Sequence, residues 1–586
     1  MRIFVATNFV PAIIKAGIEI ETLELPKKSG WMHKKLLILF FFIISLVGNT
    51  QDYPRNYFRH PLNVPMQLVA NFGEIRANHW HMGLDIRTQQ RENLQVYAAA
   101  EGYVSRIVVE PGGFGQAIYI DHPNGFTTLY AHMNAFFPAL QKHVLEEQYR
   151  KESWRVNLSF TPNQFPLQKG DYIGLSGNTG GSAGPHVHFE IRDTKTEKVL
   201  NPLLFGFPIP DAVPPSVVRL AMYDRNRSTY LQSPQLLNIQ RTRNNTIKVG
   251  SNKVSFAVGA TDRFSGSNNP NGIYAAKIYV DEQPVSSFTL DNIGYDETRY
   301  INAQIDYPYE ARGGASLQHI TPLPGARNVA YDTYGGDGTI QLTDNEPHAV
   351  LIEVYDANKN VTRIPFRIQY EGSLAAASNN TTGEQFLPDQ INIFERENFQ
   401  LVTTERTMYD VANVSFNTTG NGAANAVSPL YGFLSSAIPS HDSVTVRIKP
   451  SETIPDEWKN KIVIRSVSGS RTSVQKAVWQ KGWLMARFRQ FGTYQAFIDN
   501  VPPNVNGVAS NLSKATRIVL TPTDNFNTIK SFRAEVDGQW LRFTNDKGRT
   551  WIYKFDEMFP RGEHQLKVRV EDEAGNVTER TWNVVR

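Results

Sequence analysis

The sequence predicts a mainly β chain that is divided into several domains. Its apolar residues form short runs separated by glycine turns, a pattern typical of strands, as in "LQVYAAAEGYVSRIVVEPGGFGQAIYI" at 94–120. Before residue 200, a clear helical pattern occurs at 138–154. At 586 residues the chain is too long for one core, because domains usually have about 100–200 residues. We therefore predict an antiparallel β-sheet domain followed by three β-sandwich-like domains, two of them immunoglobulin-like repeats.

The first fifty residues indicate an exported protein. Basic residues at 32–35 precede the apolar run "LLILFFFIISLV" at 36–47, which is the pattern of a signal peptide. This run is shorter than the roughly 20 residues that span a bilayer, so we expect a signal peptide at 32–50 and no stable membrane span after cleavage. A signal peptide normally stands at the N-terminus, so we interpret residues 1–31 as an upstream extension from a mis-assigned start.

Composition excludes several classes of protein. The net charge of +4 is small for this length and gives no sign of a nucleic-acid partner. The sequence contains no cysteine, which excludes disulfides and a thiolate zinc finger. A metal site would therefore need histidine and carboxylate ligands.

An internal repeat defines the later domains. The segment "DAVPPSVVRL" at 211–220 resembles "DNVPPNVNGV" at 499–508, and "ATDRF" at 260–264 resembles "PTDNF" at 522–526. The segment at 348–362 aligns without a gap to that at 564–578, "HAVLIEVYDANKNVT" with "HQLKVRVEDEAGNVT". Strands that alternate in and out, joined by an Asp-rich turn, suit an immunoglobulin-like sandwich.

These landmarks give the predicted domain boundaries. Prolines at 208–215 mark the end of a first domain, and the small residues "GSLAAASNNTTGEQ" mark a linker. The predicted order is a first domain at 51–210 with a helical insertion at about 135–166, an immunoglobulin-like domain at 211–371, a linker at 372–385, a β-rich domain of unknown type at 386–498, and an immunoglobulin-like domain at 499–586.

Histidines and an aspartate in the first domain form a candidate metal site. In "GPHVHFEIR" at 184–192, His186 and His188 are two residues apart and share one face of a strand. With His81 and Asp85 of "HWHMGLDIR" at 79–87, one of these two histidines would complete the three ligands of a hydrolytic zinc site. The other is free for acid–base chemistry, and His132 is a further candidate.

Three motifs in this order resemble the lysostaphin-like zinc metallopeptidases, which cut peptidoglycan cross-bridges. They are "HMGLD" at 81–85, "LYAH" at 129–132 and "GPHVHFEIR", and the resemblance covers about residues 68–205. It implies one Zn²⁺ per chain bound by His81, Asp85 and His188. It also implies that His132 and His186 flank a metal-bound water, which is the nucleophile.

Other residues near these motifs have weaker assignments. We expect Asn78, His79 and Tyr130 to line the substrate groove or to support the ligands, and Glu190 to be structural. Gly83 is small enough to let its loop wrap closely around the ion. The connection after His132 is longer than is usual in the family, and this insertion would form a wall or lid over the groove.

The resemblance implies a zinc metalloendopeptidase that hydrolyses peptide cross-links of bacterial peptidoglycan, in the periplasm or at the cell surface. Its partners would be peptidoglycan peptide stems and an envelope protein that binds the β-modules. Two alternatives remain open. In the first, the chain is a non-catalytic envelope adaptor that activates other wall hydrolases. In the second, it is a secreted adhesion or assembly protein in which the β-modules have the main role.

Overall fold

The computed structural model describes residues 53–327, 330–372, 383–420 and 422–586. The predicted upstream extension and signal peptide lie outside the described residues, as do residues 373–382 of the predicted linker. Residues Pro54–Arg586 form one compact unit. Its elements are mainly strands in several sheets, which confirms the predicted mainly β class with several β-sheet domains. In the described part of the chain, no helix has the length and apolar character needed to cross a bilayer.

The first domain is built around one antiparallel sheet. The sheet follows the order β1-β4-β13-β8-β7-β6-β10, and a second sheet follows the order β5-β12-β9. The strands are β1 (Leu68–Ala70), β2 (Ile75–Arg76), β3 (His79–Trp80), β4 (Leu84–Arg87), β5 (Gln95–Tyr97), β6 (Gly102–Val109), β7 (Gln116–Asp121), β8 (Phe126–Ala131), β9 (Ala135–Phe136), β10 (Val156–Ser159), β11 (Pro166–Leu167), β12 (Tyr172–Leu175), β13 (His186–Asp193) and β14 (Val199–Leu200).

The centre and the edge of this sheet differ in burial, as their sequences require. Strands β8 and β13 lie in the middle and are buried along nearly their whole length, although β13 carries two histidines and a glutamate. Strand β10 lies at the edge and alternates buried with exposed residues. Polar side chains on β13 therefore sit where each needs a hydrogen-bond partner.

The insertion after His132 contains one helix, α1 (Pro138–Arg150). Pro138 occupies the first turn, where its missing N–H leaves no gap in the helix. The helix ends four residues before the predicted end, and Glu152 just beyond it has a positive φ of 45°. The strand after the helix, β10, pairs with β6 at the sheet edge, four places from β13. The insertion thus extends the sheet edge away from the strands that carry the predicted site.

The region predicted as the first repeat contains two sheets. Their orders are β16-β15-β18-β22 and β17-β26-β25-β19-β20-β23. The strands are β15 (Ser216–Asp224), β16 (Gln235–Leu237), β17 (Thr246–Val249), β18 (Lys253–Thr261), β19 (Ala275–Val280), β20 (Gln283–Thr289), β21 (Asn292–Ile293), β22 (Gln318–His319), β23 (Tyr331–Thr333), β24 (Ile340–Gln341), β25 (His348–Tyr355) and β26 (Val361–Tyr370). Short helices α2 (Ile239–Thr242), α3 (Ile301–Gln304) and α4 (Tyr307–Ala311) lie between them.

The next region also forms two sheets, with the orders β28-β29-β33-β37-β36 and β31-β32-β38-β34-β35. The strands are β27 (Gln385–Phe386), β28 (Ile393–Arg396), β29 (Phe399–Val402), β30 (Ala412–Asn413), β31 (Phe416–Thr419), β32 (Leu430–Phe433), β33 (Val444–Ile448), β34 (Ile462–Ser468), β35 (Arg471–Lys476), β36 (Val478–Gln480), β37 (Trp483–Phe488) and β38 (Gly492–Ile498).

The last module has the sheets β39-β42 and β41-β40-β43-β44. Its strands are β39 (Arg517–Leu520), β40 (Ile529–Val536), β41 (Gln539–Trp540), β42 (Trp551–Lys554), β43 (Glu563–Asp572) and β44 (Val577–Val585). Equivalent residues of the two repeats make the same contacts: His348 bonds Asp281 and His564 bonds Asp537, each at 2.7 Å from Nδ1 to Oδ2. The immunoglobulin-like character of the repeats remains a prediction.

The largest apolar cluster joins part of the first domain to the next two domains, and the last module has its own core. One cluster of buried residues runs from Phe72 of the first domain, through both sheets of the first repeat, to Ala496 of the next domain. The last module has a core cluster of its own, between Val505 and Val584. It contacts the preceding domain through a small cluster that includes Phe497 and Ala574.

Candidate active site

Three neighbouring strands of the first domain bring the predicted site residues together. In the pairing of β13 with β4, His188 lies opposite Asp85, and in the pairing of β13 with β8 it lies opposite Ala131. His132 is the first residue after β8. Because side chains two apart on a strand share a face, His186 and His188 both reach this region.

Three ligand atoms converge at the centre of the site. His81 Nε2 lies 3.0 Å from Asp85 Oδ1 and 3.1 Å from His188 Nδ1, and the distance from His188 Nδ1 to Asp85 Oδ1 is 2.9 Å. All three side chains are buried, with 6–8% of their surface exposed. The structure thus brings together the three residues predicted as metal ligands.

The far nitrogen of each ligand histidine fixes its tautomer. His81 Nδ1 is 2.7 Å from the carbonyl oxygen of Asn71, which only accepts, so Nδ1 carries the proton and Nε2 a lone pair. His188 Nε2 donates to Glu190 Oε1 at 2.9 Å, so in the neutral ring, the form that binds a metal, Nδ1 carries the lone pair. Such partners orient metal-binding histidines and raise their basicity.

This donor set fits a divalent transition metal. Two imidazole nitrogens and one carboxylate oxygen converge within about 3 Å of one another, an arrangement that suits a bound cation. The pKa of His188 also shows the demand for positive charge: burial alone would lower it, but the bonds to Asp85 and Glu190 raise it to about 9. Two nitrogens and one oxygen match the ligands of hydrolytic zinc sites, which keep one position open.

Glu190 is the buried carboxylate that supports His188. Its side chain has no exposed surface, and Oε2 accepts a hydrogen bond from Arg192 Nε at 2.7 Å. Tyr295, from the first repeat, donates to Oε1 at 2.5 Å. Burial alone would raise the pKa of Glu190, but Arg192, His188 and Tyr295 lower it to about 2. Glu190, expected only to be structural, is therefore an ionised group in direct contact with a candidate ligand.

His132 and His186 lie next to the three candidate ligands. Their ring centroids are 4.7 Å apart, and His186 Nε2 is 3.3 Å from Asp85 Oδ1. His132 Nδ1 donates to the carbonyl oxygen of Thr179 at 2.8 Å, and His186 Nδ1 donates to that of Gly184 at 2.8 Å. Both rings therefore keep Nε2 free of the backbone. Burial, together with His188 and His186, lowers the pKa of His132 to about 3, so its imidazole is neutral at neutral pH.

Gly83 allows the ligand loop to approach β13 closely. A Cβ atom at this position would lie 2.6 Å from the carbonyl oxygen of Phe189 and 2.9 Å from the His188 ring. Those distances are shorter than any ordinary contact, so a side chain at 83 would displace the His188 ring or the strand behind it.

The three residues expected to line the groove or to support the ligands have different positions. His79 is exposed, and its Nδ1 donates to the carbonyl oxygen of Ala77 at 3.0 Å. Asn78 has a positive φ of 67° and accepts a hydrogen bond from Asn302. Tyr130 has no exposed surface, and its hydroxyl bonds Thr128 and the backbone N–H of Ala99. Tyr130 therefore belongs to the core, because a groove residue needs accessible surface.

The last module contacts the glycine-rich loop beside the site, residues 177–184. Lys547 Nζ donates to the carbonyl oxygens of Asn178, Gly180 and Ser182 at 2.6, 2.9 and 2.9 Å. Asp546 Oδ1 accepts from the Gly180 N–H at 2.7 Å. This loop carries Thr179 and Gly184, whose carbonyl oxygens hold the two histidines. No sequence signal links Lys547 to a loop more than 360 residues earlier.

Helix α1 also packs against the last module. The Tyr149 ring contacts the Trp540 ring at 5.4 Å, and its hydroxyl donates to Asp556 at 3.0 Å. Glu152, which lies just beyond the helix, accepts a hydrogen bond from Arg533 of the last module at 2.6 Å. In the described residues the insertion thus serves as a docking surface for the last module.

An antiparallel sheet that presents two histidines and an aspartate with converging lone pairs defines a metallopeptidase-type site. The family model described as Peptidase family M23 matches residues 79–149, which include His81, Asp85 and His132. The chain therefore carries a domain of peptidase family M23, as the sequence motifs predict. A second model, described as a Zu5-like domain, matches residues 384–499, the region of unknown type.

Curated relatives match less than a third of the chain. The "DD-carboxypeptidase/endopeptidase Mpg" of Neisseria meningitidis serogroup B is 32% identical over 171 residues, which cover 29% of this chain and 30% of the relative. An "Uncharacterized metalloprotease" of Haemophilus influenzae is 28% identical over 163 residues, 26% of this chain and 28% of the relative. The chain thus spans less than a third of the length of these relatives. Among solved structures, the catalytic domain of lysostaphin from Staphylococcus simulans is 21% identical, with a TM-score of 0.16, and covers 23% of this chain and 87% of that one.

Proposed function

We propose that this chain is a zinc-dependent endopeptidase that hydrolyses peptide cross-links of bacterial peptidoglycan. The observation that carries the proposal is the convergence of three possible ligand atoms, His81 Nε2, Asp85 Oδ1 and His188 Nδ1. The name of the Neisseria relative, a DD-carboxypeptidase/endopeptidase, supports peptidoglycan peptides as the substrate class. This substrate requires export to the periplasm or the cell surface, which agrees with the predicted signal peptide.

The protein side of the mechanism follows from the hydrogen bonds. A bound Zn²⁺ would act as a Lewis acid toward the attacking water and the scissile carbonyl. His132 donates from Nδ1 to the Thr179 carbonyl, so its Nε2 carries the lone pair that would take a proton from the water. His186 Nε2 lies 3.3 Å from Asp85 Oδ1, and because Nδ1 donates to the Gly184 carbonyl, Nε2 would first take up a proton and then donate it to the oxygen that becomes negative.

Digestion of purified sacculi tests this function. The purified chain should contain about one Zn²⁺ by elemental analysis. It should release muropeptides with cleaved cross-links, resolved by liquid chromatography and mass spectrometry. His188→Ala should lose both zinc and cleavage, because only two ligands remain.

The matched control is His348→Ala, which removes a histidine that contacts only the exposed carboxylates of Asp281 and Asp344. It should keep zinc and activity. Equal cleavage by the wild type and His188→Ala would contradict the proposal. Zinc binding without any cleavage would also contradict it, and would favour the adaptor.

A further inference from the structure

Each of the two repeats carries a triad of aspartates outside the peptidase site. The first triad is Asp211, Asp262 and Asp356, and the second is Asp499, Asp524 and Asp572. The members occupy equivalent places in the repeated segments, in "DAVPP" and "DNVPP", "ATDRF" and "PTDNF", and "YDANKN" and "EDEAGN". In each triad, one carboxylate oxygen from every member lies within 4.8 Å of the other two.

The same three parts of each repeat supply the triad. The first aspartate lies in the segment that enters the module, just before a Pro-Pro pair. The second follows a strand or bridge of the first half, and the third lies at the turn of the last hairpin, β25 to β26 in one repeat and β43 to β44 in the other. In each repeat, three segments that are distant in sequence therefore come together at one place.

An asparagine organises the turn in the same way in both repeats. Asn360 donates its N–H and its Nδ2 to Asp356 at 2.8 and 2.7 Å, and Asn576 donates the same two groups to Asp572 at 2.8 Å each. Asn576 Nδ2 also reaches the carbonyl oxygen of Asp499 at 2.9 Å. These bonds fix the third carboxylate but leave the other two members without a balancing charge.

Buried carboxylate oxygens in both triads have no partner. Asp262 is 2% exposed and Asp499 is 1% exposed, and neither Asp262 Oδ1 nor Asp499 Oδ2 has a hydrogen bond. Asp524 Oδ1 is buried and unbonded as well. Among the described residues, no lysine or arginine nitrogen lies within 4.0 Å of any of the six carboxylates. A buried anion without a counter-charge is costly, since buried charges are normally paired or bound to metal.

Burial and repulsion between carboxylates raise the pKa values of some members of each triad, which also indicates that a positive charge is missing. Burial, with the charges of Asp356 and Asp211, raises the pKa of Asp262 to about 7. Burial is also the main cause that raises the pKa of Asp499 and of Asp524, and Asp572 adds to both. The carboxylates are thus held together against their own electrostatic preference.

We propose that each triad binds one Ca²⁺ ion. All the converging atoms are oxygens, which hard cations prefer, and no imidazole or thiolate is present to favour a transition metal. Ca²⁺ accepts six to eight oxygen ligands in irregular geometry, whereas Mg²⁺ demands a near-ideal octahedron and keeps several waters. Ligands from three separate segments suit the more tolerant ion.

The position of the triads gives the ions a structural role. Asp211 lies between the first domain and β15, and Asp499 directly follows β38 of the preceding domain. Each Ca²⁺ would tie the incoming segment to two loops of the module that it enters. The second ion would thereby fix the module whose Lys547 holds the loop beside the peptidase site.

Calorimetric titration of the zinc-loaded full chain with CaCl₂, after removal of free calcium, tests this proposal. We expect about two Ca²⁺ per chain, one for each triad. The affinity should lie in the range of extracellular modules, about 10⁻⁴–10⁻³ M. Saturating CaCl₂ should raise the midpoint of thermal unfolding by roughly 2–4 °C for each occupied site. MgCl₂ should give a weaker response.

Nearly isosteric variants separate the two sites. Asp262→Asn and Asp524→Asn should each leave about one Ca²⁺ per chain, and the double variant should bind none and lose the thermal shift. The matched controls are Asp332→Asn and Glu557→Gln, exposed acidic residues of the same two repeats, and both should bind as the wild type does. No calcium binding by the wild type, unchanged binding by the double variant, or equal binding of Mg²⁺ would each overturn the proposal.

Discussion

At the scale of the residue, the main support of the candidate metal site is Glu190. Its carboxylate accepts a hydrogen bond from His188 Nε2. It also accepts hydrogen bonds from Arg192 and Tyr295. Strand parity alone places Glu190 on the face of His186 and His188. Its partner from the first repeat, Tyr295, is 105 residues away and depends on how the domains pack.

Glu190→Gln should weaken zinc binding by about 10–100-fold, the usual effect of removing a group that orients a metal ligand. The neutral amide accepts a weaker hydrogen bond from His188 Nε2 than the carboxylate does. Competition with a chromophoric chelator measures this affinity.

Glu353→Gln is the matched control for this variant. Glu353 is also buried and bonds an arginine and a tyrosine, Arg363 and Tyr355, but it contacts no candidate ligand. Both variants should lose stability, and only Glu190→Gln should lose zinc affinity. Equal zinc affinity of the two variants would show that Glu190 has a structural role alone.

Gly83→Ala should abolish high-affinity zinc binding, although it adds a single methyl group. The new Cβ would meet the Phe189 carbonyl at 2.6 Å and the His188 ring at 2.9 Å, so the ligand set must open. Zinc content after dialysis measures the effect. Gly250→Ala, whose Cβ would meet nothing within 4 Å, should keep its zinc, and a zinc-replete Gly83→Ala would refute the close-approach argument.

At the scale of the element, the sequence predicts which side chains share a face of a strand, but it does not predict the contacts between domains. The resemblance of three motifs to a known family implies the five histidine and aspartate positions, and alternation along β13 explains only why His186 and His188 share a face. Tyr130 fits the motif "LYAH" equally well, yet strand alternation turns it into the core. The contacts of the loop at 177–184 with the last module follow from packing between domains, for which the sequence carries no periodic signal.

Lys547→Met should loosen the loop at 177–184. The ammonium group bonds three carbonyl oxygens of that loop, but it is half exposed, so we expect a loss of only about 1 kcal/mol. Hydrogen exchange of the peptide containing 177–184 should become faster.

Lys554→Met removes an exposed lysine of β42 in the same module and should leave the exchange of this loop unchanged. If Lys547→Met and Lys554→Met gave the same protection of the loop, the contact would have no restraining effect.

At the scale of the whole molecule, some domains are joined by apolar packing and the last module contacts the peptidase domain mainly by polar groups. One apolar cluster joins part of the first domain to the next two domains, so we expect these parts to unfold together. The last module has a separate core and touches the peptidase domain mainly through polar contacts, at Lys547 and Asp546 and at Tyr149. Such an interface is the part of the molecule that can be removed without destroying the rest.

A chain that ends at Asp499 should therefore fold and bind zinc, but should turn over the proposed substrate about tenfold more slowly. We expect zinc binding to persist because the hydrogen bonds of the last module reach the loop at 177–184 and the segment of helix α1, whereas His81, Asp85 and His188 lie on or beside β4 and β13. Turnover falls because the Thr179 carbonyl that orients His132 belongs to the loop released from Lys547, and one positioned hydrogen bond of about 1.4 kcal/mol corresponds to about a tenfold change in rate. Steady-state cleavage of soluble muropeptides measures the turnover number, with zinc content and far-ultraviolet circular dichroism as checks on folding. Lys547→Met in the full chain should show part of the same loss, since it releases the same loop. A shortened chain with full turnover would mean that the peptidase domain orders this loop without help.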